Sequence, residues 1–146
     1  MEMKTRLFTL WLFATLNYIY CDVLGLMNPA MLKGFLAGHV SGIDVTQGFL
    51  LASGVLVEIP MAMVLLSRFL PNRANRIANI TAGAFMTLVQ AGSNFVGTPA
   101  GYYIFFSIFE IAATAAIVWF AWSWPAAKAE AARSVRELRG SLPVAK

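Results

Sequence analysis

Four stretches of the chain stay apolar for about 20 residues, the length a helix needs to cross a hydrocarbon core. They are residues 7–27, 46–69, 77–97 and 102–124. Strong breaks separate them. Asn28-Pro29 ends the first, and Asp44, three residues before Gln47, predicts a capping-box variant that opens the second. Leu70-Pro71-Asn72 ends the second, Thr98-Pro99 predicts an N-cap with proline in the first turn of the fourth, and Pro125 closes it. The pattern predicts an all-α polytopic membrane fold, an up-down bundle of four transmembrane helices within residues 1–125, followed by a basic tail over 126–146. Residues 126–139 of that tail read as a helix ending at Gly140. In the loop over 28–42, Met31, Leu32, Phe35 and Leu36 share one helical face, which predicts a short helix lying on the membrane or folded over the bundle.

Composition excludes the soluble alternative. The chain of 146 residues is 59% hydrophobic and 12% charged, against about 45–50% and about 25% for soluble domains, and its mean hydropathy is +0.68. A small domain has too much surface to hide that surplus in a core. So apolar a chain is no nucleic-acid binder. The single cysteine, Cys21, excludes an internal disulfide, and the single histidine, His39, excludes multi-histidine ligation. The apolar run from Leu7 follows Lys4 and Arg6 as a signal peptide would. No small-x-small cleavage site follows it, so it reads as a retained helix.

Charge placement orients the bundle. Lys4 and Arg6, then Arg68, Arg73 and Arg76, then Lys128, Arg133, Arg136, Arg139 and Lys146 all fall on one side of a four-span chain, leaving Lys33 alone on the other. Cytoplasmic loops carry the excess of Lys and Arg, so both termini are expected in the cytoplasm. Trp11, Trp119, Trp122 and Trp124 fall near that interface, while Tyr102 and Tyr103 fall near the outer one.

The spans also carry polar residues at regular spacing. Tyr103, Ser107, Glu110 and Thr114 repeat at intervals of four, three and four, the seam of a packed helix, and Gly83, Thr87, Gln90 and Asn94 repeat in the same way. Gln47, Gly54 and Glu58 share a face of the second span. Tyr18 and Asp22 lie four apart on the first, within reach of one another. At about 1.5 Å of rise per residue, Glu58 and Glu110 lie near mid-bilayer and Asp22 nearer the outer boundary. Ionisable groups at such depth are costly and usually face the interior. No lysine or arginine shares their depth, so they must be hydrated, hold a proton or bind a cation. Four facing polar stripes predict one outward-open pocket lined by Tyr18, Asp22, Glu58, Gln90, Asn94, Tyr103, Ser107 and Glu110. Pro60 predicts a kink beside Glu58.

Plainer readings stand beside these. Asp44 and Gln47 are a helix cap, Gln90 and Asn94 bond helix to helix, Cys21 is a small buried residue, and His39 is a loop histidine on the pocket's side. Ala78 with Ala82, and Ala112 with Ala116, are small-residue packing faces, available either within the bundle or to a homo-oligomer.

Several strings carry a family resemblance: Tyr20-Cys21-Asp22-Val23-Leu24-Gly25, Gln47-Gly48-Phe49-Leu50-Leu51, Glu58-Ile59-Pro60-Met61-Ala62-Met63, Arg73-Ala74-Asn75-Arg76, and Gly97-Thr98-Pro99 through Tyr102-Tyr103-Ile104-Phe105-Phe106. Together they resemble a family of small bacterial four-helix membrane proteins of unknown function, a likeness over roughly residues 7–124 that implies the bacterial inner membrane but no activity. The general plan also resembles the DoxX-type four-helix proteins, some of which serve quinone-linked redox systems. Three functions follow as expectations. The first is a binding or transport protein for a small cationic or hydrogen-bonding solute, with proton exchange. The second is an accessory subunit or enzyme acting on a quinone, sterol or other lipid, and the third is a structural protein locked by its polar groups. No cofactor is identified from the sequence.

Overall fold

The computed structural model describes residues 2–40 and 42–124; the expected tail helix and Pro125 lie outside the described residues. Helix α1 runs Met3–Met27 and short α2 runs Pro29–Leu36. Asn28 ends the one and begins the other. Its amide donates to the carbonyls of Leu24 and Gly25, while its Oδ1 accepts from Ala30 N at 3.0 Å and Met31 N at 3.4 Å, with Pro29 in the first turn where no amide is needed.

A small hairpin follows. Strands β1 (His39–Val40) and β2 (Ile43–Asp44) pair antiparallel, with His39 opposite Asp44, and Gly42 takes a φ of 81° in the turn. His39 Nδ1 and Asp44 Oδ1 are 2.7 Å apart. Asp44 is therefore not the cap expected of it. Thr46 caps α3 (Gln47–Phe69) instead, its Oγ1 accepting from Phe49 N at 3.1 Å. The hairpin register holds the Asp44 carboxylate across from His39 and away from the helix start.

Helix α4 spans Asn72–Ser93 and α5 spans Gly101–Ser123. The expected third span, 77–97, is thus shifted toward the N-terminus. The α3–α4 turn is minimal, Asn75 N already bonding Pro71 O, and the chain leaves the helix before Gly97, which sits at φ 66°. Thr98 caps nothing. Ala100 is the residue before α5 and makes no side-chain cap bond, so Pro99 precedes the helix rather than entering its first turn. Pro60 lies buried within a continuous α3.

Three helices, α1, α3 and α5, are long and apolar enough to cross a membrane. Helix α4 is of similar length, but its first eight residues include Asn72, Arg73, Asn75, Arg76 and Asn79, which shortens its apolar run.

Helix α1 packs between α3 and α5, and α5 packs on α4; α3 and α4 touch less closely. Leu7, Trp11, Met63, Met86 and Ile117 form a buried cluster at one half of the bundle. Around its end the basic residues gather. A helix C-terminus presents unpaired carbonyls and partial negative charge. Lys4 Nζ donates to Leu70 O at the end of α3, at 2.8 Å. Arg76 donates to Ala121 O and Trp122 O at the end of α5, both at 3.2 Å. Arg68 lies 5.2 Å from the Phe8 ring centroid and Arg6 lies 5.8 Å from that of Phe120.

Candidate functional site: a polar cavity between the helices

At the opposite half, the four long helices enclose a cavity of about 220 Å³. Helix α1 supplies Tyr18, Cys21 and Asp22; α3 supplies Ser53, Leu56 and Val57. Helix α4 adds Met86, Val89, Gln90 and Ser93, and α5 adds Tyr103 and Glu110. The deepest polar groups are Glu110, nine residues into α5, and Tyr18, nine residues before the end of α1. At about 1.5 Å per residue, each is about 14 Å from its helix end. Asp22, exposed, stands at the rim.

One wall is a chain of hydrogen bonds between α4 and α5. Gln90 Nε2 donates to Ser107 Oγ at 2.8 Å. Tyr103 Oη donates to Ser93 Oγ at 2.6 Å, and Ser93 Oγ donates to Gln90 O at 2.8 Å. Below it, Thr87 Oγ1 donates to Thr114 Oγ1 at 2.8 Å, and Thr114 Oγ1 donates to Glu110 O at 2.9 Å. The helices come this close because Gly83 lies against α5. A Cβ there would stand 2.9 Å from Val118 Cγ2 and 3.3 Å from Thr114 O.

The other wall is not satisfied. Glu110 is 1% exposed, yet among the described residues neither of its carboxylate oxygens has a hydrogen-bond partner, and the buried Tyr18 Oη has none either. Buried polar groups are normally paired, because a lone one in a medium of low dielectric costs the full loss of its hydration. Three acceptor or donor atoms thus converge on one void without partners among the described residues. Among the described residues, no lysine or arginine lines that void. Two carboxylates alone do not make a metal centre, and no cluster of three His, Cys, Asp or Glu side chains occurs among the described residues.

Of the eight residues expected at the pocket, five line it: Tyr18, Asp22, Gln90, Tyr103 and Glu110. Ser107 is buried behind it and holds Gln90. Asn94 does not reach it. It sits at the C-cap of α4 and donates to Gln90 O at 2.7 Å, within its own turn. Glu58 does not reach it either and is exposed. At about 100° per residue, it lies opposite Pro60, Met63 and Ser67, the buried side of α3. The expected Tyr18–Asp22 hydrogen bond does not form, since Tyr18 Oη turns inward and stays unpartnered. Sequence reasoning passed over Ser53 and Ser93, whose small hydroxyls give no signal apart from the helix face they share with Val57 and Gln90.

A second polar cluster also went unforeseen, in the half that holds the buried Leu7–Ile117 cluster. Trp11 Nε1 donates to Asn79 Oδ1 at 2.7 Å, Asn79 Nδ2 to Asn75 Oδ1 at 2.6 Å, and Asn75 Nδ2 to Ser67 O at 2.7 Å. Every donor in it has a partner, so it is a lock between α1, α3 and α4 and no binding site.

Fold and site together define a small all-helical protein with three helices of membrane-crossing length and apolarity, enclosing a polar cavity. The chain belongs to the family of unknown function DUF6326, which matches residues 1–131. No curated protein and no solved structure matches it.

Proposed function

We propose that this is an integral membrane protein that crosses the bilayer four times, with both termini cytoplasmic, and that its cavity binds and transports a small cationic or hydrogen-bond-donating solute. Chain path supports the fourth crossing. Lys4, near the start of α1, bonds the end of α3, and Arg76, near the start of α4, bonds the end of α5. If α3 and α5 both cross, α4 must carry the chain back between them. It does so with Asn75, Asn79 and Gln90 buried against its neighbours. The end where Lys4, Arg6, Arg68 and Arg76 gather is then the cytoplasmic one, and the cavity opens outward.

The observation that carries the functional reading is the buried Glu110 carboxylate with two unpartnered oxygens. A carboxyl at that depth has three ways to be satisfied: water, a proton, or a cation. An ammonium group bears several donors and a compensating charge, which suits Glu110, Tyr18 and the Asp22 rim together. Exchange of such a cation for a proton at Glu110 would make the site a carrier. The test is uptake of ethylammonium into proteoliposomes alongside its stabilisation of the protein against heat. Glu110→Gln is expected to abolish both, and Glu58→Gln to preserve both. Undiminished uptake by Glu110→Gln would overturn the reading.

A further inference from the structure

A second hollow adjoins the cavity at α3. Leu56 lines both the cavity and a wide crevice of about 430 Å³ on the outer surface between α3 and α4. Leu51, Val55, Ile59 and Phe85 complete its apolar walls. The crevice exists because α3 and α4 are fastened at one end only. Among the described residues, the side-chain bonds linking them run from Ser67 to Asn79 and from Asn75 to Ser67 O, beside their connecting turn. Nothing ties them together at the level of Val55 and Phe85.

The two volumes differ in character. The inner one sets hydroxyls, an amide and two carboxylates among Leu56, Val57, Met86 and Val89, while the side chains lining the outer one are all apolar. The inner one is also smaller than the roughly 300–1,000 Å³ of typical ligand pockets. It has room for a head group, and any larger ligand must leave it somewhere. From the position of Leu56, the adjoining way out leads sideways into lipid. A purely water-soluble solute has no use for such a trough.

We propose that cavity and crevice form one site for an amphiphile with an ammonium head and a hydrocarbon chain, which enters laterally from the bilayer between α3 and α4. The head meets Glu110 and Tyr18, and the chain lies along Leu51, Val55, Ile59 and Phe85. This rests on the reading of Glu110 as a cation-binding group. The charge argument is the same: among the described residues, two carboxylates line the site and no basic side chain does. Transfer of each methylene from water to an apolar site contributes about 0.8 kcal/mol, close to fourfold in affinity referred to the aqueous concentration. The bilayer supplies much of that gain by concentrating the amphiphile, so the decisive comparison is between variants at fixed lipid content.

Cys21, the only cysteine and a lining residue of the cavity, reports occupancy without any added label. Full-length protein in phosphatidylcholine nanodiscs is treated with methyl methanethiosulfonate, and the modified fraction is read by intact mass while ethylammonium or decylammonium is titrated. In the wild type both cations are expected to slow modification, decylammonium at an aqueous concentration at least a hundredfold lower. Ala52→Trp and Val55→Trp, each filling the crevice from the exposed side of α3, should weaken decylammonium at least tenfold and leave ethylammonium unchanged. Matched melting curves establish that both variants fold. If neither variant weakens decylammonium, the lateral site is overturned while the Glu110 reading stands. If neither cation slows modification of the wild type, or if Glu110→Gln keeps the protection, both fall.

Discussion

Trp11 on α1 and Asn79 on α4 meet through a 2.7 Å hydrogen bond from the indole Nε1 to Oδ1, and neither side chain has exposed surface. The bond closes the half of the bundle away from the cavity. Asn79 Nδ2 in turn donates to Asn75 Oδ1 and to Asn75 O, so a single side chain joins α1 to the start of α4. Trp11→Phe should lower stability by about 1–3 kcal/mol, because it leaves a buried acceptor short of its donor. A double-mutant cycle with Asn79→Ala, measured by reversible unfolding in mixed detergent, should give a coupling of about 0.6 kcal/mol or somewhat more, the range found for hydrogen bonds between membrane helices. A coupling of zero would mean that the bond contributes nothing.

Gly83 fixes the approach of α4 to α5. Alanine there would gain about 1 kcal/mol in helix propensity, but its Cβ would stand 2.9 Å from Val118 Cγ2 and 3.3 Å from Ile117 Cγ2. Overpacking of this kind costs about 1–3 kcal/mol, and the short branched neighbours have little freedom to withdraw. Gly83→Ala should therefore lower the melting temperature. Combining it with Val118→Ala should restore most of the loss, and a double variant no better than the single one would place the strain elsewhere.

The two mid-helix glutamates should respond in opposite ways to leucine. Glu110→Leu removes an unpartnered buried carboxyl and is expected to raise stability by about 1–3 kcal/mol, the penalty of leaving a buried polar group unsatisfied, while ending cation binding. Glu58→Leu, on an exposed face, should leave binding intact. Calorimetry of both variants in nanodiscs with ethylammonium separates them. A fall in stability for Glu110→Leu would indicate a structural role for that carboxyl.

The start of α3 offers a sharper comparison. Thr46 Oγ1 accepts from Phe49 N, so Thr46→Ala should cost about 1 kcal/mol. Among the described residues Asp44 is paired only with His39, and both side chains are more than two-thirds exposed at 70% and 76%. Exposed pairs contribute about 0–1 kcal/mol, so Asp44→Ala should cost less than Thr46→Ala. Thermal melts of the two variants decide it, and the reverse order would return the capping role to Asp44.

Much of the candidate site was legible in the chain itself. On α5 the interval from Tyr103 through Ser107, Glu110 and Thr114 marked a face that does turn inward. On α4, Gly83 and Gln90 did the same. These faces are recognisable because the rest of α5, and of α4 beyond Thr81, is mostly apolar or small, and polar side chains at helical spacing stand out. The clustering of Lys4, Arg6, Arg68 and Arg76 at one end was legible too, from their positions before and after the apolar runs. The cap of α3 was not. Asp44 and Thr46 both satisfy capping chemistry, and the choice between them depends on a hairpin register that pairs Asp44 with His39. The Trp11–Asn79 lock was hidden as well, since it joins residues far apart in the chain and only the packing of α1 and α4 around α3 and α5 brings them together.

The sequence by itself determined that helices of membrane-crossing length exist, where proline and asparagine interrupt them, and which side chains share a stripe. Only the tertiary structure decided which stripe looks inward. Gln47, Gly54 and Glu58 do share a face of α3, yet that face is turned away from the bundle, and Ser53, Leu56 and Val57 line the cavity in its place. The physical reason is that helical spacing fixes residues relative to one another, while the rotation of the helix about its own axis is set by contacts with its neighbours. In water, an apolar face resolves that rotation by seeking the core. On α3 nearly every face is apolar, so hydrophobicity does not single out one side, and the packing against α1 makes the choice.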